Sequence, residues 1–114
     1  VYVNTTPHDI VLRTPSGEDH VVPSSGVLIN ARAVEELVGE RDGVLLVRTR
    51  FVADEESARV LDELERAYPD AFIIGSIIAA QAFPGRVLAM VPAPGFERVP
   101  PAEKRMRADK FTVF

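Results

Sequence analysis

The sequence predicts an α/β (α+β) domain, a mixed and mostly antiparallel sheet carrying two helices at about 54–68 and 76–83. Three observations predict it. Short apolar or alternating runs, bounded by Pro, Gly, Asn and Asp, recur along the chain and read as strands with tight turns. The segment 54–68 instead places Ala58, Leu61, Leu64 and Tyr68 at helical spacing behind an acidic start. Finally, 114 residues, 46% hydrophobic and 26% charged, suffice for one core and are too few for two, so 1–114 is read as a single domain.

Val1, Val3 and Thr5 alternate with Tyr2 and Asn4 in a first strand that Pro7 ends, because proline cannot donate to a ladder. Asp9 to Thr14 forms a second, closed by Pro15-Ser16-Gly17, and the two are expected to pair as a hairpin. His20 to Val22 and Val27 to Asn30 follow as short strands around Pro23-Ser24-Ser25-Gly26, which makes the first thirty residues a β meander. Ala33 to Glu40 carries Val34, Leu37 and Val38 at helical spacing, yet Asp42-Gly43 between apolar runs is a hairpin signal and outweighs it slightly. Val44 to Val52 is then the clearest strand.

Asp54 is a good N-cap, and Glu55 and Glu56 suit the positive end of the helix dipole. Pro69 restricts Tyr68 and stops that helix. Ala71 to Gly75 reads as a short buried strand feeding a second helix, Ile77 to Phe83, which Ser76 caps and Pro84-Gly85 terminates. That helix is apolar nearly all round and so requires cover. Val87 to Val91 is another strand, 96–108 an irregular segment with a basic character, and Lys110 to Phe114 a final strand. The order implies two helices on one side of the sheet.

Composition narrows the function classes. Seventeen acidic against thirteen basic side chains give a charge of −4, which offers no general attraction to nucleic acid or anionic lipid. Without cysteine there is no disulfide framework, thiolate metal site or cysteine nucleophile, consistent with a cytoplasmic setting. No apolar run approaches the ~20 residues of a membrane span, so no membrane partner is expected. Only His8 and His20 are present, without metal-ligand spacing, and no serine lies in a nucleophile elbow. Neither a metal nor a cofactor is expected, and a non-enzyme is favoured over an enzyme of unknown class.

Two clusters remain as candidate sites. At Gly75-Ser76 a strand meets a helix start whose free backbone N–H groups favour an anion, with Gln81, Arg86 and the basic residues Lys104, Arg105 and Arg107 as further ligands. The competing reading is that Ser76 only caps the helix, Gln81 bonds to a neighbouring backbone, and the basic residues form a solvated surface. The second cluster is Asn4, Thr6, His8 and Asp9, where His8 and Asp9 suit a proton-transfer pair only if the chain lets adjacent residues face each other. A turn held by Asn4 and Thr6 side chains is the better reading.

Three stretches, Asn4-x-Thr6-Pro7-His8, Ser76-Ile77-Ile78-Ala79-Ala80-Gln81-Ala82 and Arg105-Met106-Arg107-Ala108-Asp109-Lys110-Phe111, together resemble a family of small uncharacterised bacterial, phage and fungal proteins. That family shares an N-terminal Asn-x-Thr-Pro-His and a central Ser-x-Ile-x-Ala-Gln-Ala motif, and the likeness spans most of the chain. It implies no established activity, and the acidic helix from Asp54 to Tyr68 departs from its pattern as an insertion. The expectation is therefore a non-catalytic binding module for a small anionic or nucleotide-like molecule. A protein-interaction or homo-oligomeric assembly module ranks just behind it, because a small domain of many short strands leaves edges to be paired.

Overall fold

The computed structural model describes residues 1–114. Its strands are β1 (Tyr2–Asn4), β2 (Ile10–Arg13), β3 (Asp19–Val22), β4 (Ala31–Arg41), β5 (Val44–Ala53), β6 (Phe72–Gly75), β7 (Leu88–Pro92) and β8 (Met106–Thr112). Two α-helices, α1 (Glu55–Ala67) and α2 (Ile77–Ala82), and a 3₁₀ turn at Pro101–Glu103 complete it. Mixed α+β architecture with two helices is what the sequence predicts.

Six strands form one mixed sheet in the order β1-β6-β7-β8-β2-β3. β1 lies parallel to β6, β6 to β7 and β2 to β8, while β7–β8 and β2–β3 are antiparallel. The two ends of this order also touch. Asn4 on β1 bridges Ser24, just past β3, and its carbonyl accepts from the Ser25 N–H at 2.9 Å. The sheet is thus curled until its opposite edges meet through one residue.

That arrangement corrects the expected β1–β2 hairpin. The Thr5 N–H and hydroxyl both donate to the Ile74 carbonyl, at 2.8 and 2.7 Å, so the chain leaving β1 is tied to β6 instead of folding back. The meander of the first thirty residues shrinks likewise to β2–β3. Residues 27–30 are not a strand: Gly26 turns the chain at φ 79°, Ile29 is buried in the core and Val27 packs against it.

Alternation on β6 divides the interior. Ile73 joins Val3, Val87 and Ala89 beneath Leu61 and Leu64 of α1 and Ala79, Ala80 and Phe83 around α2, so both helices serve one core. Ile74 faces the other way and packs with Ile10 and Leu12, bordered by Met90, Met106 and Phe111. Each fully buried Leu or Ile here is worth about 1.5–3 kcal/mol.

β8 begins earlier than the sequence predicts, at Met106 rather than Lys110. A register break opposite β7, between Met90 and Pro92, lets Met106, Ala108 and Phe111 all reach the second core despite their uneven spacing. That irregular spacing hides the strand from a search for simple alternation.

α1 forms as expected: an Asp54 carboxylate oxygen accepts from the Ser57 N–H at 3.1 Å, and the helix stops before Tyr68-Pro69. α2 is capped by Ser76, whose hydroxyl oxygen accepts from the Ala79 N–H at 3.2 Å. It is not covered all round, however, because Ile77 and Ile78 remain 59% and 38% exposed.

β4 and β5 form a separate two-stranded sheet, the hairpin favoured at Asp42-Gly43. Both turn residues have positive φ, 52° and 81°, as a two-residue hairpin of the right twist demands. No residue from 31 to 53 is buried. The hairpin is an arm, with α2 packed at its base, and it stretches the molecule to 52 × 36 × 21 Å. The radius of gyration is 16.3 Å, against about 13 Å for a compact chain of this length.

Candidate functional site

The turn after β1 is built by one buried side chain. Asn4 Nδ2 donates to the His8 and Val22 carbonyls at 2.8 and 3.1 Å, while Oδ1 accepts from the Thr6 N–H and hydroxyl at 2.9 and 2.6 Å. All its hydrogen-bonding capacity is used, so Asn4 shapes the loop and is not free to bind anything else. The Ser24 N–H donates to Asp9 Oδ1 at 2.9 Å, and the Ser24 hydroxyl to the Thr6 carbonyl at 2.6 Å, fixing the loop from its other side. His8 and Asp9 are thereby presented outward on a braced turn.

This turn forms one wall of a groove of about 620 Å³. Thr6, His8, Asp9, Ser76 and Lys104 supply its polar groups, and Ile10, Val11, Met90, Met106, Pro101 and Ala102 its apolar surface. β2 brings Ile10 and Val11, the β6–α2 junction brings Ser76, and the 3₁₀ turn leading into β8 brings Pro101, Ala102 and Lys104. Residues from three distant parts of the chain meet because β2 and β8 are sheet neighbours and β1 is tied to β6.

Both candidate clusters therefore contribute to a single groove, but not all their members do. Gly75 is buried behind it: a Cβ there would sit 2.7 Å from Val87 Cγ1 and 3.2 Å from Thr5 Oγ1, so glycine permits close packing and makes no ligand contact. Gln81 is exposed on α2 and not among the groove residues. Arg86 is committed elsewhere, with its guanidinium bonded to Asp62 at 2.6 Å and Glu65 at 2.5 Å on α1. Those carboxylates hold its pKa above the ordinary arginine value, the Glu65 bond foremost.

The basic residues near the C-terminus divide in the same way. Arg105 Nε donates to Asp19 Oδ2 at 3.1 Å, and Asp19 is also gripped by Arg13, from Nε at 2.8 Å and from its second nitrogen at 3.1 Å. The Asp19 carboxyl is held below the usual carboxylate range, chiefly by Arg13 and then by Arg105. Arg107 makes a two-bond pair with Asp109, 2.9 Å each, which depresses that carboxyl too. Arg13 additionally lies 4.8 Å over the Phe96 ring. Of the three basic residues expected to close the site, only Lys104 faces the groove. Gln81 and Arg86, expected to line the site, therefore lie outside the groove that Ser76 lines, and acidic α1 holds Arg86.

The groove's apolar surface was not anticipated. Met90 and Met106 read in sequence as ordinary strand residues, and nothing in their spacing marks them as facing a common opening. No group of three or more His, Asp or Glu side chains is arranged to hold a metal. No helix is long and apolar enough to cross a membrane. Compared with protein-family models, curated proteins and solved structures, the chain matches none.

Proposed function

We propose that this chain is a non-catalytic binding module that holds a small anionic, nucleotide-like molecule in the groove between the β1–β2 turn and the 3₁₀ turn. One observation carries the reading. Segments singled out at positions 4–8, 76–82 and 105–111 lie far apart in sequence, yet Thr6, His8, Ser76 and Met106 line one opening. An apolar surface with a few convergent polar groups, in the range of ~300–1,000 Å³, is the usual form of a small-molecule site.

The chemistry of the rim narrows the ligand. Lys104 is its only lysine or arginine, and Asp9 lies in the same rim, which matches a single phosphate or carboxylate and disfavours a polyphosphate. Asp9 Oδ2 and the imidazole of His8 have no hydrogen-bond partner and suit hydroxyl or amine groups on the ligand. Thioethers of Met90 and Met106 fit a flat apolar ring, since methionine adapts to irregular shapes. Binding is favoured over catalysis because the Ser76 hydroxyl is engaged as a helix cap and no hydrogen bond joins it to His8.

The test is a thermal-shift and calorimetry panel of nucleoside monophosphates, small organic phosphates and aromatic carboxylates. A ligand present at ~100 times its Kd adds about 2.7 kcal/mol of stability, a shift of several degrees. Lys104→Ala is expected to weaken binding at least tenfold and His8→Ala to weaken it less, while Arg107→Ala leaves it unchanged. A panel without any shift, or a shift insensitive to Lys104→Ala, refutes the reading.

A further inference from the structure

Two opposite charges face the groove, and neither has a charged partner. Asp9, on the turn after β1, is fixed through Oδ1, which accepts from the Ser24 N–H at 2.9 Å, while its Oδ2 stays free. Lys104, past the 3₁₀ turn, engages only its backbone: its N–H donates to the Pro101 carbonyl at 3.3 Å and its carbonyl accepts from Arg105 at 3.0 Å. Neither side chain belongs to any ion pair of the protein, so carboxylate and ammonium stand more than 4.0 Å apart. Nearby charges behave differently, with Arg13 and Arg105 holding Asp19 and Arg107 holding Asp109.

The surface that Asp9 and Lys104 share is apolar, formed by Ile10, Val11, Met90 and Met106. Next to such a surface the effective dielectric falls, and each charge attracts its counter-ion more strongly than in open water. A ligand with a single charge leaves one of the two unmet, and an anion on Lys104 comes under the repulsion of Asp9. A ligand with both charges satisfies the pair.

We propose that the ligand of this groove is a zwitterion with an apolar body. Its carboxylate lies on Lys104, its protonated amine on Asp9 Oδ2 and its side chain on Met90 and Met106. A free α-amino acid with a large apolar side chain has this chemistry, and so does a short peptide through its two termini. The inference rests on the groove reading above and narrows it: the single anion is a carboxylate, and the flat ring is an aromatic side chain. Charge selects the carboxylate, because Asp9 and Lys104 cancel and match a ligand of zero net charge, whereas a phosphate monoester, near −2, exceeds the one lysine. His8, the remaining titratable side chain of the groove, adds a donor or an acceptor beside them.

Titration calorimetry on the full chain at pH 7, where α-amino groups are protonated, tests this with a matched set. Phenylalanine carries both charges, 3-phenylpropanoate lacks only the amine and 2-phenylethylamine lacks only the carboxylate. Phenylalanine is expected to bind at least tenfold tighter than either, as hydrogen bonds between charged groups allow. Asp9→Asn keeps an oxygen for the Ser24 N–H and removes the charge. It is expected to weaken phenylalanine at least fivefold while leaving 3-phenylpropanoate unchanged or tighter, an opposition of sign that mere loosening of the turn does not produce. Lys104→Met is expected to weaken both carboxylates and to spare 2-phenylethylamine. Glycyl-phenylalanine sets the amine about 3.5 Å farther from the carboxylate: tighter binding than phenylalanine assigns a peptide, and weaker binding the free amino acid. Phenylalanine no tighter than 3-phenylpropanoate, or an equal loss of both in Asp9→Asn, would overturn the proposal. A nucleoside monophosphate that then binds through Lys104 still upholds the groove as the site, whereas silence from every compound removes both readings.

Discussion

Asn4 shows how one side chain can specify a loop. Its four hydrogen bonds join β1, the turn beyond it and the end of β3, and no buried side-chain polar atom in the protein is left unpartnered. Gly75 works at the same scale by what it lacks. In Gly75→Ala the added methyl meets Val87 at 2.7 Å and Ala79 at 3.4 Å, and overpacking of this kind costs about 1–3 kcal/mol. Chemical denaturation of the variant is expected to show that loss, and an unchanged midpoint would mean that the β6–α2 junction is looser than the packing indicates.

Asp19 supplies a dependence on pH. Its carboxyl is held below the ordinary range by Arg13 first and Arg105 second. A depressed carboxylate stabilises the fold above its unfolded-state pKa of about 4, and that contribution fades as pH falls through the lower folded value. Wild type is therefore expected to melt above Asp19→Asn at pH 7, with the gap closing as pH drops from about 5 towards 2. A gap that stays constant over that interval in calorimetry would contradict the assignment.

Among elements, α1 and the arm were the most legible. Asp54, Glu55 and the 58–61–64 stripe specify a helix through local rules, and Asp42-Gly43 specifies a turn, so tertiary context had little to override. The segments lost to the sequence are those that depend on distant partners. β8 is interrupted by its register break, and in the run 27–29 Ile29 enters a core with Val27 packed beside it, without pairing as a strand. No residue of either core belongs to the arm, though α2 packs at its base, so the body is expected to fold without it. Ala31 and Ala53 are register partners, so a two-glycine link can replace residues 31–53. The shortened chain is expected to keep its melting temperature within a few degrees and to contract to a radius of gyration of about 12 Å. Loss of cooperative melting would show that the arm supports the body.

For the molecule as a whole, the candidate site was half legible. Its turn and Ser76 carry local signals of polar density and capping, whereas which cations reach the groove depends on competition between charges. Arg86, Arg105 and Arg107 are claimed by Glu65, Asp19 and Asp109, and only Lys104 is left for the opening. No one-dimensional pattern states the outcome of that competition, since Arg86 and Glu65 are 21 positions apart and Arg105 and Asp19 are 86.

The parallel pairing of Tyr2–Asn4 with Phe72–Ile74 also bears on how the chain acquires its shape. A ribosome delivers β1 first, and its partner strand follows some seventy residues later, so the leading strand waits unpaired while the β4–β5 ribbon and α1, whose contacts are local, can already form. Pairings of such long sequence separation slow folding. Closure of the sheet is therefore a late event, and the groove, which needs both ends of that sheet, comes into being only with it.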